Sequence, residues 1–208
     1  MVLSVLIILV VSYLLGNING AIWISKVMVH DDVRTHGSGN AGFTNFFRNY
    51  GGVISLLVML IDFAKAAIAC LLGGWLLGKY GYRMEGMIAA AIAVSLGHDF
   101  PALCGFKGGK GIICGLAVAV CIDWRIALLI FLLFGLAYLP TRLVSLGSVV
   151  GACGFALGFV IWHHDNLILM IGGIILSALA LWMHRANIGR LIRKEESKVD
   201  FFKKGSKK

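Results

Sequence analysis

An all-α integral membrane bundle of seven transmembrane helices, N-terminus outside and C-terminus cytoplasmic, is the fold class this sequence predicts. Three observations carry the prediction. The 208 residues have a mean hydropathy of +0.90 and are only 14% charged, where a soluble domain runs near 25%. Several apolar runs are long enough to cross about 30 Å of hydrocarbon. The Lys and Arg residues then sort onto one side of a seven-helix topology, as the positive-inside rule requires.

Val2–Trp23 is the first span. No cation precedes it and it is too long for a signal-peptide core, so it reads as a retained helix. Val53–Leu77 and Met84–Leu103 follow, and Val144–Trp162 and Leu167–Met183 close the set. The stretch Gly111–Leu139 is interrupted by Asp123-Trp124-Arg125. One helix would put two charges near its middle; two helices would each be short. The charge pattern selects two. The segments 24–52, 105–110, 140–143 and 184–208 then share one side, with three, two, one and nine Lys/Arg. A single crossing would set the nine-charge tail opposite Arg48 and Lys107.

The whole chain reads as one membrane domain, 1–208, with a basic cytoplasmic tail at 184–208. That tail accounts for much of the net charge of +9, and it suits a membrane surface better than a nucleic acid. The 27 glycines include Gly111-xxx-Gly115, Gly147-xxx-Gly151 and Gly154-xxx-Gly158, spacings that allow close helix contact in lipid. The five cysteines form no CxxC pair and read as small core residues. Asp62 and Lys65, three apart in a helix, read as an intramembrane ion pair.

Four polar segments fall on the cytoplasmic side: "HGSGNAGFTNFFRNYGG" (36–52), "GHDFPALCGFKGGKG" (97–111), "TRLVSLGS" (141–148) and "HRANIGRLIRK" (184–194). Each carries hydroxyls, amides or cations that suit phosphate. The glycines of "GFKGGKG" bare backbone N–H groups and its lysines add charge, the ingredients of an anion cradle. It is not a Walker A loop, because Lys110 is followed by glycine. Arg48 offers a planar fork for phosphate oxygens.

These segments, with "IDFAKA" at 61–66, resemble in order and spacing the motifs of the bacterial acyl-phosphate-dependent glycerol-3-phosphate acyltransferases, the PlsY family. The resemblance covers nearly the whole chain. It departs at "LLGNING" (14–20), where the family usually has a proline, and at Gly147, where alanine is common. It implies transfer of a fatty acyl group from acyl phosphate to the sn-1 hydroxyl of glycerol 3-phosphate, giving lysophosphatidic acid and phosphate at the bacterial inner membrane. Carried over motif by motif, Ser38, Gly39, Asn40 and Thr44 would hold the acyl-phosphate head. Arg48, Lys107, Ser145, His184 and Asn187 would hold glycerol 3-phosphate or the departing phosphate. Gly108 and Gly109 would belong to the cradle, with Lys110 further out.

No metal is implied, on the premise that no carboxylate or His/Cys cluster stands on that face, and no cofactor, because acyl phosphate is already activated. The partners implied are the two substrates and the bilayer, with no nucleic acid and no obligate protein partner. The HxxxxD pair of the other large glycerolipid acyltransferase class is absent. The proton leaving the glycerol hydroxyl would go to a substrate phosphate or to His184. The competing class is a transporter or channel for an organic phosphate, which the basic loops and broken middle helices also suit.

Overall fold

The computed structural model describes residues 1–201, so the last part of the basic tail, 202–208, lies outside the described residues. Those residues form ten α-helices, short 3-10 turns and one π-helical turn, with no strand among them. Four helices are long and apolar enough to cross a membrane, or six if two bent pairs each count as one crossing.

Helix α1 (Val2–Gly16) ends earlier than the apolar run does. The chain breaks at Asn17–Asn19, restarts as α2 (Gly20–Ile24), and bends by 41°. The cause is a buried cation. Lys65 Nζ donates to the Gly16 and Ile18 carbonyls at 3.2 and 2.8 Å and lies 2.8 Å from Asp62 Oδ1. A lysine buried in hydrocarbon needs such acceptors, and unwinding one turn frees them. Asn17 and Asn19 use the break as well. Asn17 Oδ1 accepts from Leu103 N–H, and Asn19 Nδ2 donates to the Ala41 carbonyl. The break thereby anchors the first two polar segments.

Helix α3 (Phe43–Tyr50) lies within the first polar segment, where the sequence pattern indicated only a polar loop. Helices α4 (Ile54–Gly78) and α5 (Arg83–Asp99) pack tightly against each other and against α1. Glycine makes this possible. A β-carbon on Gly73 would stand 2.2 Å from the Gly86 carbonyl oxygen, and one on Gly97 2.1 Å from that of Tyr13.

The middle stretch is two helices, α6 (Ile112–Ile122) and α7 (Trp124–Thr141). Asp123 caps α7 by accepting from Arg125 N–H at 3.0 Å and pairs with the Arg125 side chain, so its charge sits at a helix start and not within a span. Only α6 is short, at 11 residues; α7 has 18 and ends beyond the expected Leu139. Helices α8 (Val144–Trp162) and α9 (Leu167–Met183) match the expected spans residue for residue. The glycine stripe of α8 receives α7: Gly147 meets Phe134, Gly151 meets Ile130 and Gly154 meets Leu133. The expected stripe at Gly111 and Gly115 fails, because nothing stands within 4 Å of a β-carbon at Gly115.

The basic tail opens as a helix, α10 (Arg185–Ile192), bent 59° from α9. Residues 193–201 then turn back across the ends of α3, α7 and α8. Val199 N–H donates to the Arg142 carbonyl at 2.9 Å, and the Phe201 ring sits among Phe43, Phe47 and Tyr138.

Candidate functional site

The four polar segments meet around one cavity of about 330 Å³. Its polar end is lined by Ser38, Asn40, Thr44, Arg48 and Lys110, then by Ser145, His184 and Asn187. Its other end is apolar, with Ile112, Leu116, Ile130 and Phe134 from α6 and α7. Phe131, also on the wall, is 68% exposed on the outer face of the bundle. The cavity is therefore amphipathic, with a charged head end and a hydrocarbon end that opens between two lipid-facing helices.

Eight of the sequence-derived candidates line this cavity and four do not. Lys107 is exposed and away from the wall, while Lys110, expected further out, lines it. Gly108 and Gly109 are not an anion cradle. Their N–H groups donate to the Asp99 and His98 carbonyls at 3.2 and 3.1 Å, so neither is open to a ligand. Gly39 N–H likewise donates to the His36 carbonyl. These glycines serve close backbone packing instead. A β-carbon on Gly108 would stand 2.0 Å from the His98 carbonyl oxygen. The physical reason is that bare backbone suits another strand of chain as well as it suits an anion.

The first polar segment is organised by Asn45. Its Oδ1 accepts from Ser38 N–H at 3.0 Å, and its Nδ2 donates to the Val33 and His36 carbonyls. That wraps the loop so that Ser38, Asn40 and Thr44 face the cavity. Arg48, one turn further along α3, donates to the Ser197 carbonyl of the tail at 2.9 Å. Burial lowers its pKa, Glu196 opposes that, and neighbouring Arg190 adds to the lowering. Burial, with Arg190 and Arg48 nearby, brings the Lys110 pKa down to about 8 despite the Glu196 charge.

A carboxylate does stand on this face, where the sequence motifs placed none. Glu196 of the returning tail lines the cavity, its side chain only 3% exposed. Burial disfavours its charge, yet hydrogen bonds from Ser145, Arg190 and Asn187 outweigh burial and hold its pKa below the usual range. Nothing in the local sequence singles it out among the charges of "RKEESKVD"; only the chain reversal at 193–201 brings it in. His98 and Asp62 also reach the wall. They join Lys65 in a buried cluster in which His98 Nδ1 lies 2.8 Å from Lys65 Nζ, so the expected Asp–Lys pair is a triad. His184 is buried, and its Nδ1 stands 2.8 Å from the Ala180 carbonyl. That contact orients the ring without a carboxylate. Among the described residues no group of three or more His, Cys, Asp or Glu is placed to hold a metal.

A multi-helix membrane bundle that joins a head pocket lined by Arg48 and Lys110 to an apolar groove has the form of an integral membrane protein built for an amphipathic, anionic ligand. The comparisons narrow the class. The glycerol-3-phosphate acyltransferase family model matches residues 6–194. A glycerol-3-phosphate acyltransferase of Finegoldia magna is 37% identical over 91% of this chain and 93% of its own length. That of Clostridioides difficile is 37% identical over 95% and 97%. The crystal structure of PlsY in its glycerol 3-phosphate form, an integral membrane glycerol 3-phosphate acyltransferase, superposes with a TM-score of 0.85 at 32% identity, covering 95% of this chain and 96% of that one. Its lysophosphatidic acid form gives 0.82. The chain belongs to the glycerol-3-phosphate acyltransferase family.

Proposed function

We propose that the protein moves a fatty acyl group from acyl phosphate to the sn-1 hydroxyl of glycerol 3-phosphate, releasing lysophosphatidic acid and inorganic phosphate. The observation that carries this reading is the amphipathic cavity, with Arg48 and Lys110 at one end and the α6–α7 groove at the other. An acyl chain gains about 0.8 kcal/mol per methylene buried, so it occupies the groove and leaves its phosphate at the cationic end. The bundle lies in the bacterial inner membrane as seven crossings, N-terminus outside, with this pocket facing the cytoplasm.

Acyl phosphate is a mixed anhydride, so the pocket has only to place the hydroxyl against the acyl carbonyl and stabilise charge. The hydroxyl oxygen bonds to the carbonyl carbon, the anhydride C–O bond breaks, and the departing phosphate takes the electron pair. Ser38, Asn40 and Thr44 hold that phosphate, and Arg48 and Lys110 offset the charge of both phosphates in the one pocket. The hydroxyl proton passes to a phosphate oxygen. Detergent-purified protein supplied with palmitoyl phosphate and radiolabelled glycerol 3-phosphate should form labelled lysophosphatidic acid. Turnover only with acyl-CoA would overturn the donor assignment. Movement of label into sealed vesicles without lipid product would favour a transporter.

A further inference from the structure

The hydrogen atoms around Glu196 can be counted. Its Oε1 accepts from Ser145 Oγ at 2.6 Å and from Asn187 Nδ2 at 3.0 Å; its Oε2 accepts from Arg190 Nε at 2.6 Å. Asn187 Nδ2 also donates to Ser145 Oγ at 2.9 Å, and Asn187 Oδ1 accepts from Lys110 Nζ. An amide nitrogen carries two hydrogens and a hydroxyl one. The single hydrogen of Ser145 is therefore committed to Glu196, and one hydrogen of Asn187 is shared between Ser145 Oγ and Glu196 Oε1, which stand 2.6 Å apart. Ser145 cannot donate to a phosphate oxygen while Glu196 is in place. What Ser145 keeps is one acceptor lone pair, and that suits a ligand hydroxyl.

The tail that brings Glu196 is well anchored. Arg48 binds the Ser197 carbonyl, Tyr138 Oη donates to the Val199 carbonyl at 3.1 Å, and Val199 is 5% exposed. A ligand that displaced the carboxylate would have to break these contacts as well.

We infer that Glu196 is a positioning residue that makes Ser145 a reader of hydroxyl groups, so that the glycerol hydroxyls lie against Ser145 and the phosphate lies against Arg48 and Lys110. The inference rests on the acyltransferase reading above and deepens it. It reassigns Ser145, which the sequence motifs pointed toward phosphate. It also places the glycerol end, which must reach the acyl carbonyl, on the α8 side of the cavity.

The test compares glycerol 3-phosphate with n-propyl phosphate, which keeps the phosphate and lacks both hydroxyls. Binding of each to full-length wild type, Glu196→Ala and Glu196→Asp is measured by calorimetry in detergent. Wild type should prefer glycerol 3-phosphate by about ten-fold, the upper scale of one net neutral hydrogen bond. In Glu196→Ala the preference should fall to within about two-fold while propyl phosphate binding is kept, which also reports an intact fold; Glu196→Asp should restore part of it. Three results would overturn the inference: an undiminished preference in Glu196→Ala, equal weakening of both ligands, as a purely structural role predicts, or equal tightening of both, as an anion competitor predicts. Wild type that binds both ligands equally would overturn it and leave the acyltransferase reading standing. Wild type that binds neither would overturn that reading and this one with it.

Discussion

Gly109 presses its bare α-carbon against the His98 imidazole: a β-carbon there would stand 2.1 Å from Nε2 and 3.0 Å from the Ala41 carbonyl oxygen. His98 in turn contacts the Asp62–Lys65 pair. The end of the second polar segment thus folds back onto its own His98 through one glycine, in addition to the Leu103–Asn17 bond. Gly109→Ala should destabilise the protein by about 1–3 kcal/mol, the usual cost of overpacking. Gly115→Ala, with nothing within 4 Å of its β-carbon, should be neutral or gain up to about 1 kcal/mol from helix propensity. Thermal unfolding of both variants in one detergent checks the contrast; equal melting points would contradict it.

The two lysines of the second segment should separate in kinetics. Lys110 lines the cavity and Lys107 is exposed away from it. Arg48→Ala and Lys110→Ala should each lower kcat/KM for glycerol 3-phosphate by about 10²-fold or more, the scale of one preorganised donor to developing charge. Lys107→Ala should cost less than about 10-fold, an effect of long-range charge. The reverse order would restore the motif-based ranking.

Lys110 also sets a pH dependence. Its pKa is lowered to about 8, so the cation is present below that value and is lost as pH rises through it. The kcat/KM for glycerol 3-phosphate, which reports the free enzyme, should fall above about pH 8. Lys110→Arg keeps its charge throughout and should carry the falling limb to higher pH. An unshifted limb in that variant would assign the titration elsewhere.

No acyl-enzyme should accumulate. Ser145 donates its hydrogen to a carboxylate that Arg190 and Asn187 already hold, which makes that carboxylate a weak base. The cysteines Cys70 and Cys114 are fully buried. Protein incubated with acyl phosphate alone should show an unchanged intact mass. An adduct of one acyl group, discharged on adding glycerol 3-phosphate, would replace direct attack with a two-step mechanism.

Orientation can be read by labelling. With Cys104, Cys121 and Cys153 changed to alanine, a cysteine at Lys107 should react with an impermeant maleimide only after the cytoplasmic side is opened. One at Tyr80 should react from outside in intact cells. Both positions are exposed and lie between helices. Labelling of both from the same side would refute the orientation proposed above.

Hydropathy and charge were enough to mark the apolar helices, to the residue for α8 and α9, because burial in lipid is a property of each segment by itself. They also separated α6 from α7, since Asp123 and Arg125 cannot sit mid-membrane. The motifs were enough to bring Ser38, Arg48, Ser145 and Asn187 onto one list. Contacts between distant segments were decided only by the tertiary structure. Unwinding at Asn17–Asn19 depends on Lys65, nearly fifty residues away. The glycines of "FKGGKG" looked like an anion cradle because a bare backbone carries no record of what approaches it; in the fold that neighbour is His98. Glu196 was one acidic residue in a basic tail, and nothing local distinguished it from Glu195. Its role follows from a chain reversal that sets its carboxylate on Ser145, Asn187 and Arg190, and the direction in which those donors point is settled by that contact alone.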